Sequence, residues 1–175
     1  MAIKVLLDTG VFISYFGRAN EPQRVTKARG LMNYFRNKDI DILYSQRTQN
    51  ELNVIPSETR TEFLNNCIMA EYFFGNETID QIEGTSENIG SLSDNDSDGE
   101  YGISERINTW LIKDRDLRDR GILLDAIKNK CNFFIHENPK DYKKVPIELY
   151  REFNLKCINL LELEIADFGM TFGKH

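Results

Sequence analysis

Ile3-Lys4-Val5-Leu6-Leu7-Asp8-Thr9-Gly10-Val11-Phe12-Ile13 is the stretch that decides how this chain folds. Its first five residues, four of them apolar, read as a strand buried on both faces. A carboxylate stands at the C-terminal end of that strand, and an apolar helical turn begins directly afterwards at Val11–Phe16. In open α/β sheets the crevice beyond the strand ends is where ligands bind. A carboxylate fixed there is a natural ligand for a hard cation. The same carboxylate has a plainer use, as the cap of the helix that follows.

Outward from this stretch the chain alternates. Glu21–Arg36 carries Val25, Ala28, Leu31, Met32 and Phe35 at helical spacing. Asp41–Tyr44 reads as a second strand, and Ser45 as the cap of a helix running through Glu51 and Leu52 toward Pro56. Ser57–Phe74 reads as a helix with Phe63, Leu64, Cys67 and Met69–Ala70 on its apolar face. The segment at about 75–103 is rich in Gly, Ser, Asn, Asp and Glu and reads as an acidic inserted loop. Helix resumes near Ser104, with Ile107, Trp110 and Leu111 on one face. It forms again over Asp119–Lys128, with Ile122, Leu123, Ala126 and Ile127 buried and Asp125 exposed. Cys131–Ile135 reads as a third strand, Pro146–Phe153 as a short helix, and Leu155–Leu160 contains the last strand.

Strands that alternate with helices imply a parallel sheet covered on both faces. The expectation is an α/β fold: a three-layer α/β/α sandwich around a central parallel sheet of about four to five strands. One domain spans residues 1–175, interrupted by the acidic insertion.

A hydrophobic fraction of 41% is enough for a real core. No apolar run is long enough to cross a bilayer, and the N-terminus lacks the features of a signal peptide, so a cytoplasmic protein with no membrane partner is expected. Cys67, Cys131 and Cys157 match no zinc or redox spacing and read as buried, reduced thiols. The net charge of −6 argues against a sequence-independent nucleic-acid binder, which shows a basic footprint. It leaves room for a nuclease, because bound cations reverse the sign of an acidic site. The charge is uneven: Glu77–Glu105 contains no Lys or Arg, whereas Arg18–Lys38 and Arg106–Lys130 are richly basic.

Four places in the chain can bring oxygen ligands to one sheet edge. Asp8 is the first and Glu51, in the helix after the second strand, is the second. Asp119 is the third. It competes with Asp114, Asp116 and Asp125, and the mixed charges of Lys113–Arg120 suit a solvated face. Asp119 is preferred because it stands one helical turn before Ile122–Leu123 and two before Ala126. The fourth place follows the third strand in His136-Glu137-Asn138-Pro139-Lys140-Asp141-Tyr142, where Asn138 and Asp141 lie past the strand end. His136 reads as a strand-end residue, and the chain offers no convincing Ser/His/Asp or Cys/His set.

These residues resemble a known family. Leu6-Leu7-Asp8-Thr9-Gly10-Val11-Phe12-Ile13 looks like the opening motif of PIN-domain ribonucleases, and Ser45-Gln-Arg-Thr-Gln-Asn-Glu51-Leu52 like their second motif. Asp119 through Ala126, followed by Phe133 through Tyr142, resembles the third motif and the strand after it. The resemblance implies a Mg²⁺- or Mn²⁺-dependent endoribonuclease, as in the toxins of toxin–antitoxin pairs, with RNA as substrate, an antitoxin as protein partner and a homodimer as assembly. Carried over residue by residue, it makes Asp8, Glu51 and Asp119 metal ligands and catalytic residues, joined by Asn138 and Asp141. Two departures stand out: Gly10 where the family commonly has Asn, and Asn138 where it often has Asp. They point to the alternative of a catalytically weakened RNA- or protein-binding module of the same fold. The helices around Leu31–Phe35 or Phe63–Phe74 are the candidates for a dimer surface.

A second metal signal lies in the insertion. Asp94-Asn-Asp96-Ser-Asp98-Gly99-Glu100-Tyr101-Gly102-Ile103-Ser104-Glu105 matches the EF-hand loop pattern, with Asp94, Asp96, Asp98 and Glu105 as Ca²⁺ ligands. The Ser/Gly-rich stretch before it is a poor entering helix, and there is no second loop to pair with it. A solvated acidic insertion is the plainer reading.

Overall fold

The computed structural model describes residues 2–72, 103, 107, 117–137 and 146–169. Strand β1 (Lys4–Leu7) leads into helix α1 (Thr9–Tyr15) and then α2 (Pro22–Asn37). Strand β2 (Asp41–Tyr44) is followed by α3 (Gln46–Glu51), a 3-10 turn over Leu52–Val54, α4 (Ser57–Leu64) and the short strand β3 (Ile68–Met69). Beyond the insertion come α5 (Leu117–Lys128), β4 (Phe133–His136), α6 (Pro146–Phe153), β5 (Lys156–Asn159) and α7 (Ala166–Gly169). The five strands form one sheet in the order β3-β2-β1-β4-β5, and every pairing is parallel. The expected α/β architecture with a central parallel sheet is therefore present.

Strand alternation divides the core in two. Val5, Leu7, Ile42, Tyr44, Phe133 and Ile135 face one layer, where Phe12 of α1, Met32 and Phe35 of α2 and Phe63 of α4 complete the packing. Leu6, Leu43 and Phe134 face the other, against Ile122, Leu123 and Ala126 of α5, Leu149 of α6 and Ile107. Because β1 is covered on both sides, Val5, Leu6 and Leu7 are wholly buried, and a continuous apolar run is what such a strand requires.

Three helix-to-strand turns share one device. Asp39, Lys130 and Asn154 each adopt a left-handed backbone (φ 53°, 53° and 54°) just past α2, α5 and α6. The Ile40 N–H then reaches back to the Phe35 carbonyl (3.2 Å) and the Cys131 N–H to that of Ala126 (3.0 Å), which closes the exposed end of each helix. The Asn132 side chain accepts from the Lys4 N–H (2.9 Å) and so sets the register where β4 joins β1. Asn129 clamps the far edge, accepting from the Glu71 N–H (3.0 Å) and donating to the Glu71 carbonyl (2.9 Å).

Several expectations need correction. The helix expected over Ser57–Phe74 ends at Leu64, and Ile68–Met69 pairs with β2 as an edge strand, leaving Met69 exposed. A two-residue strand is too short to declare a period, so the pattern merged it with the helix before it. The third strand in sequence reading, placed over Cys131–Ile135, runs over Phe133–His136. Asp125, expected on the surface, is buried, because α5 is enclosed on both sides and every residue from Gly121 to Ile127 is covered. Leu31, Met32, Phe35, Phe63 and Leu64, offered as a dimer surface, lie in the core. Trp110 and Leu111 lie outside the described residues. Among the described residues no helix is long and apolar enough to cross a membrane.

Cys131 and Cys157 are buried as expected, Cys67 is only partly buried, and all three are free thiols. Burial pushes Cys67 and Cys131 up to about 12 and Cys157 further still. The unfolded chain loses these protons near 9, whereas the folded chain keeps them. Their contribution to stability is therefore complete below that value and lost as pH rises toward 12. Melting temperature should fall across that window, and a Cys67→Ala/Cys131→Ala variant should show a shallower fall. Lys130 carries a side chain in a backbone region that glycine occupies without strain. Lys130→Gly should raise unfolding free energy in urea by about 0.5–1 kcal/mol.

Candidate functional site

The strand order sets where a ligand crevice opens. From β1 the sheet grows through β2 and β3 on one side and through β4 and β5 on the other, so β1 and β4 flank the point of reversal. Asp8 sits at the C-terminal end of β1, with its N–H bonded to the Ile135 carbonyl of β4 (2.9 Å). Its half-buried side chain caps α1, with Oδ1 accepting from the Thr9 N–H at 2.9 Å. The capping use that the sequence allowed is thus real.

Glu137 directly follows the adjacent strand and was missed in the sequence. Its carboxylate accepts from the hydroxyl of Ser14, a fully buried residue of α1, and pairs with Arg24 of α2 at 3.1 Å. The same guanidinium reaches the Glu137 carbonyl (3.4 Å) and Glu21 (3.0 Å). Burial alone would discourage charge on Arg24. Its bonds to Glu137 and Glu21 outweigh that, and its pKa lies above the usual value. Gly10 lies against this carboxylate: a Cβ there would stand in ordinary contact with the Glu137 Cβ and Oε2, at 3.4 Å. The departure from Asn at position 10 therefore coincides with an acidic side chain occupying the neighbouring space. The signal was within reach, since Glu137 stands one residue past the true end of β4 and two past the strand end read from the pattern.

Glu51, half-buried, closes α3. A buried contact between the Thr9 and Thr48 hydroxyls (3.2 Å) ties this helix to the residue beside Asp8, and Glu51 follows Thr48 by one turn. Ser45 caps α3 by accepting from the Arg47 N–H (3.1 Å) and donates to Asp125 of α5 at 2.6 Å. Arg47 crosses α5 at Gly121, where a Cβ would lie only 2.3 Å from the Arg47 Nε. Its guanidinium continues to Tyr72, stacked at 4.6 Å and donating to the hydroxyl at 2.7 Å. Ser45 meets Asp125 and Arg47 meets Gly121, so α3 packs against α5. Asp119 stands in the first turn of α5, and its side chain lies outside the described residues.

Asn138, Asp141 and the Asp94, Asp96, Asp98 and Glu105 set lie outside the described residues. Among the described residues no three His, Cys, Asp or Glu side chains come together as a metal-holding group. His136 is buried against Phe134 (25° between rings, 6.0 Å), in keeping with a strand-end role.

The Ser45 hydroxyl serves both the cap and a buried carboxylate. Ser45→Ala should lower unfolding free energy in urea by about 1–3 kcal/mol. Ser45→Thr should recover part of this loss.

A scan against known protein families found no matching family, and no characterised protein matched the chain.

Proposed function

We propose that the chain is a Mg²⁺- or Mn²⁺-dependent endoribonuclease of the PIN-domain type, with Asp8, Glu51 and Asp119 as its metal-holding carboxylates. The observation that supports this reading most is the position of Asp8. It is fastened to β4 at the reversal point of a parallel sheet, with Glu137 just past the end of the neighbouring strand. All-oxygen donors of this kind suit Mg²⁺ and Mn²⁺. Such a cation, when bound, neutralises charge on the scissile phosphate and acidifies a water.

The chain's own residues would do the positioning. Thr9 and Thr48 hold the Asp8 strand end against α3, which fixes the approach of Glu51. Asp125, bonded to Ser45, fastens α3 to α5 and so sets the approach of Asp119. Glu137 forms the far wall, where Ser14 and Arg24 hold its carboxylate in place. Asp141, four residues past Glu137, belongs to the same proposal, as does an antitoxin-like protein partner.

Purified protein with Mn²⁺ should cleave single-stranded RNA, and chelation should stop it. Asp8→Asn should reduce the rate by about a hundredfold or more without loss of fold, as expected when a ligand that places a catalytic metal is removed. Absence of cleavage across diverse RNAs would overturn the enzyme reading. RNA binding that survives Asp8→Asn in that case would favour the binding module instead.

A further inference from the structure

A second cavity lies away from Asp8, between the end of α1, the outer face of α2, and α4. Its volume is about 630 Å³, within the roughly 300–1,000 Å³ typical of small-molecule sites. Arg29, Asn33 and Arg36 follow one another at four and three residues along α2, so they form a single stripe on one helix face. Opposite them stand Tyr15 and Phe16 at the end of α1 and Phe63 of α4.

Two features of this cavity call for a ligand of particular chemistry. The first is charge. The protein carries a net charge of −6, yet two guanidinium groups line one pocket. Among the described residues neither forms an ion pair: the only ion pairs found there are those of Arg24, although Glu62 also lines the wall. Arg29 donates its Nε to the Tyr15 carbonyl (3.1 Å), which anchors the side chain. Arg36 is laid over the Phe63 ring at 5.3 Å. Both groups are thereby held in place, and a planar guanidinium held in place suits the oxygens of a phosphate.

The second feature is the aromatic wall. Tyr15 packs on Phe63 at 4.5 Å and on Phe16 at 5.3 Å, and both Tyr15 and Phe16 keep part of their rings exposed. Partly exposed rings beside fixed arginines match the two halves of a nucleotide: a flat base that stacks and a phosphate that pairs. The Asn33 and Asn66 amides on the rim offer donors and acceptors to a base edge or ribose.

We propose that this cavity binds one nucleotide unit, its phosphate on Arg29 and Arg36 and its base against Tyr15 and Phe16. The site stands whether or not the chain cleaves RNA, because none of its residues belongs to the Asp8 crevice. The nucleotide unit has two sources, a free nucleoside monophosphate or a unit of an RNA strand.

The test is a titration of the isotope-labelled full chain by NMR at low salt, with UMP, AMP, inorganic phosphate and a short oligouridylate as separate probes. UMP or AMP should shift amides of α2 between Arg29 and Arg36 and of α4 near Phe63. Arg29→Gln and Arg36→Gln should each weaken binding by roughly tenfold, the scale of one charge-assisted hydrogen bond. Arg36→Lys, which keeps the charge and loses the planar fork, should fall between. Tighter binding of the oligouridylate than of UMP would assign the strand as the source, and equal binding the free nucleotide. The proposal is overturned if no probe shifts these amides, if both arginine variants bind as the parent does, or if inorganic phosphate binds as tightly as UMP.

Discussion

The hydrogen bond from the Asp8 N–H to the Ile135 carbonyl is the contact on which the rest depends. It is the last rung between β1 and β4, and it falls where a strand buried on both faces gives way to a helix. Upstream of it, β1 can be wholly apolar because helices cover both of its faces. Downstream, the chain must leave the sheet, and the first residue to do so is a carboxylate. The reversal of strand order at the same point opens a crevice there instead of continuing the sheet.

Around this rung, neighbouring elements are joined by small hydroxyl contacts. Thr9 meets Thr48, Ser14 meets Glu137, and Ser45 meets Asp125. Each lies at a helix end or on a face turned inward, where an apolar side chain would pack but fix no particular register. A buried hydroxyl must find a partner, which makes these contacts orientational as well as cohesive. They determine how α1 and α3 approach the sheet and how α5 approaches α3. Gly121 lets one of these approaches be close, because a Cβ there would collide with Arg47.

Much of the fold was legible because its signals are local. The period-free run at Ile3–Leu7 and the helical spacing through Val25, Ala28, Met32 and Phe35 each follow from one element's own burial. Ser45 declared its cap by residue type and position. Illegible features were those set by partners distant in sequence. Asp125 read as exposed because three or four apolar neighbours on one face normally leave the next position outside. Ser45, 80 residues away, supplies the partner that lets it be buried. Glu137 was passed over for Asn138 and Asp141 because the end of β4 was misjudged by one residue, and a one-residue error at a strand end redirects a side chain.

The sequence by itself determined that this is an α/β protein with a carboxylate at the end of its first strand, since apolar patterning and helix caps are properties of short segments. It also determined the cap at Ser45 and the helix that carries Glu51, because both lie within one short segment. Only the tertiary structure decided which carboxylate packs against α1 at Gly10 and Ser14. Strand pairing brings Glu137 there across more than a hundred residues of chain, and Arg24 and Ser14 hold it. It alone gathered Arg29, Arg36 and the rings of Tyr15, Phe16 and Phe63 around one cavity, because three helices must pack before their separate faces become a single surface.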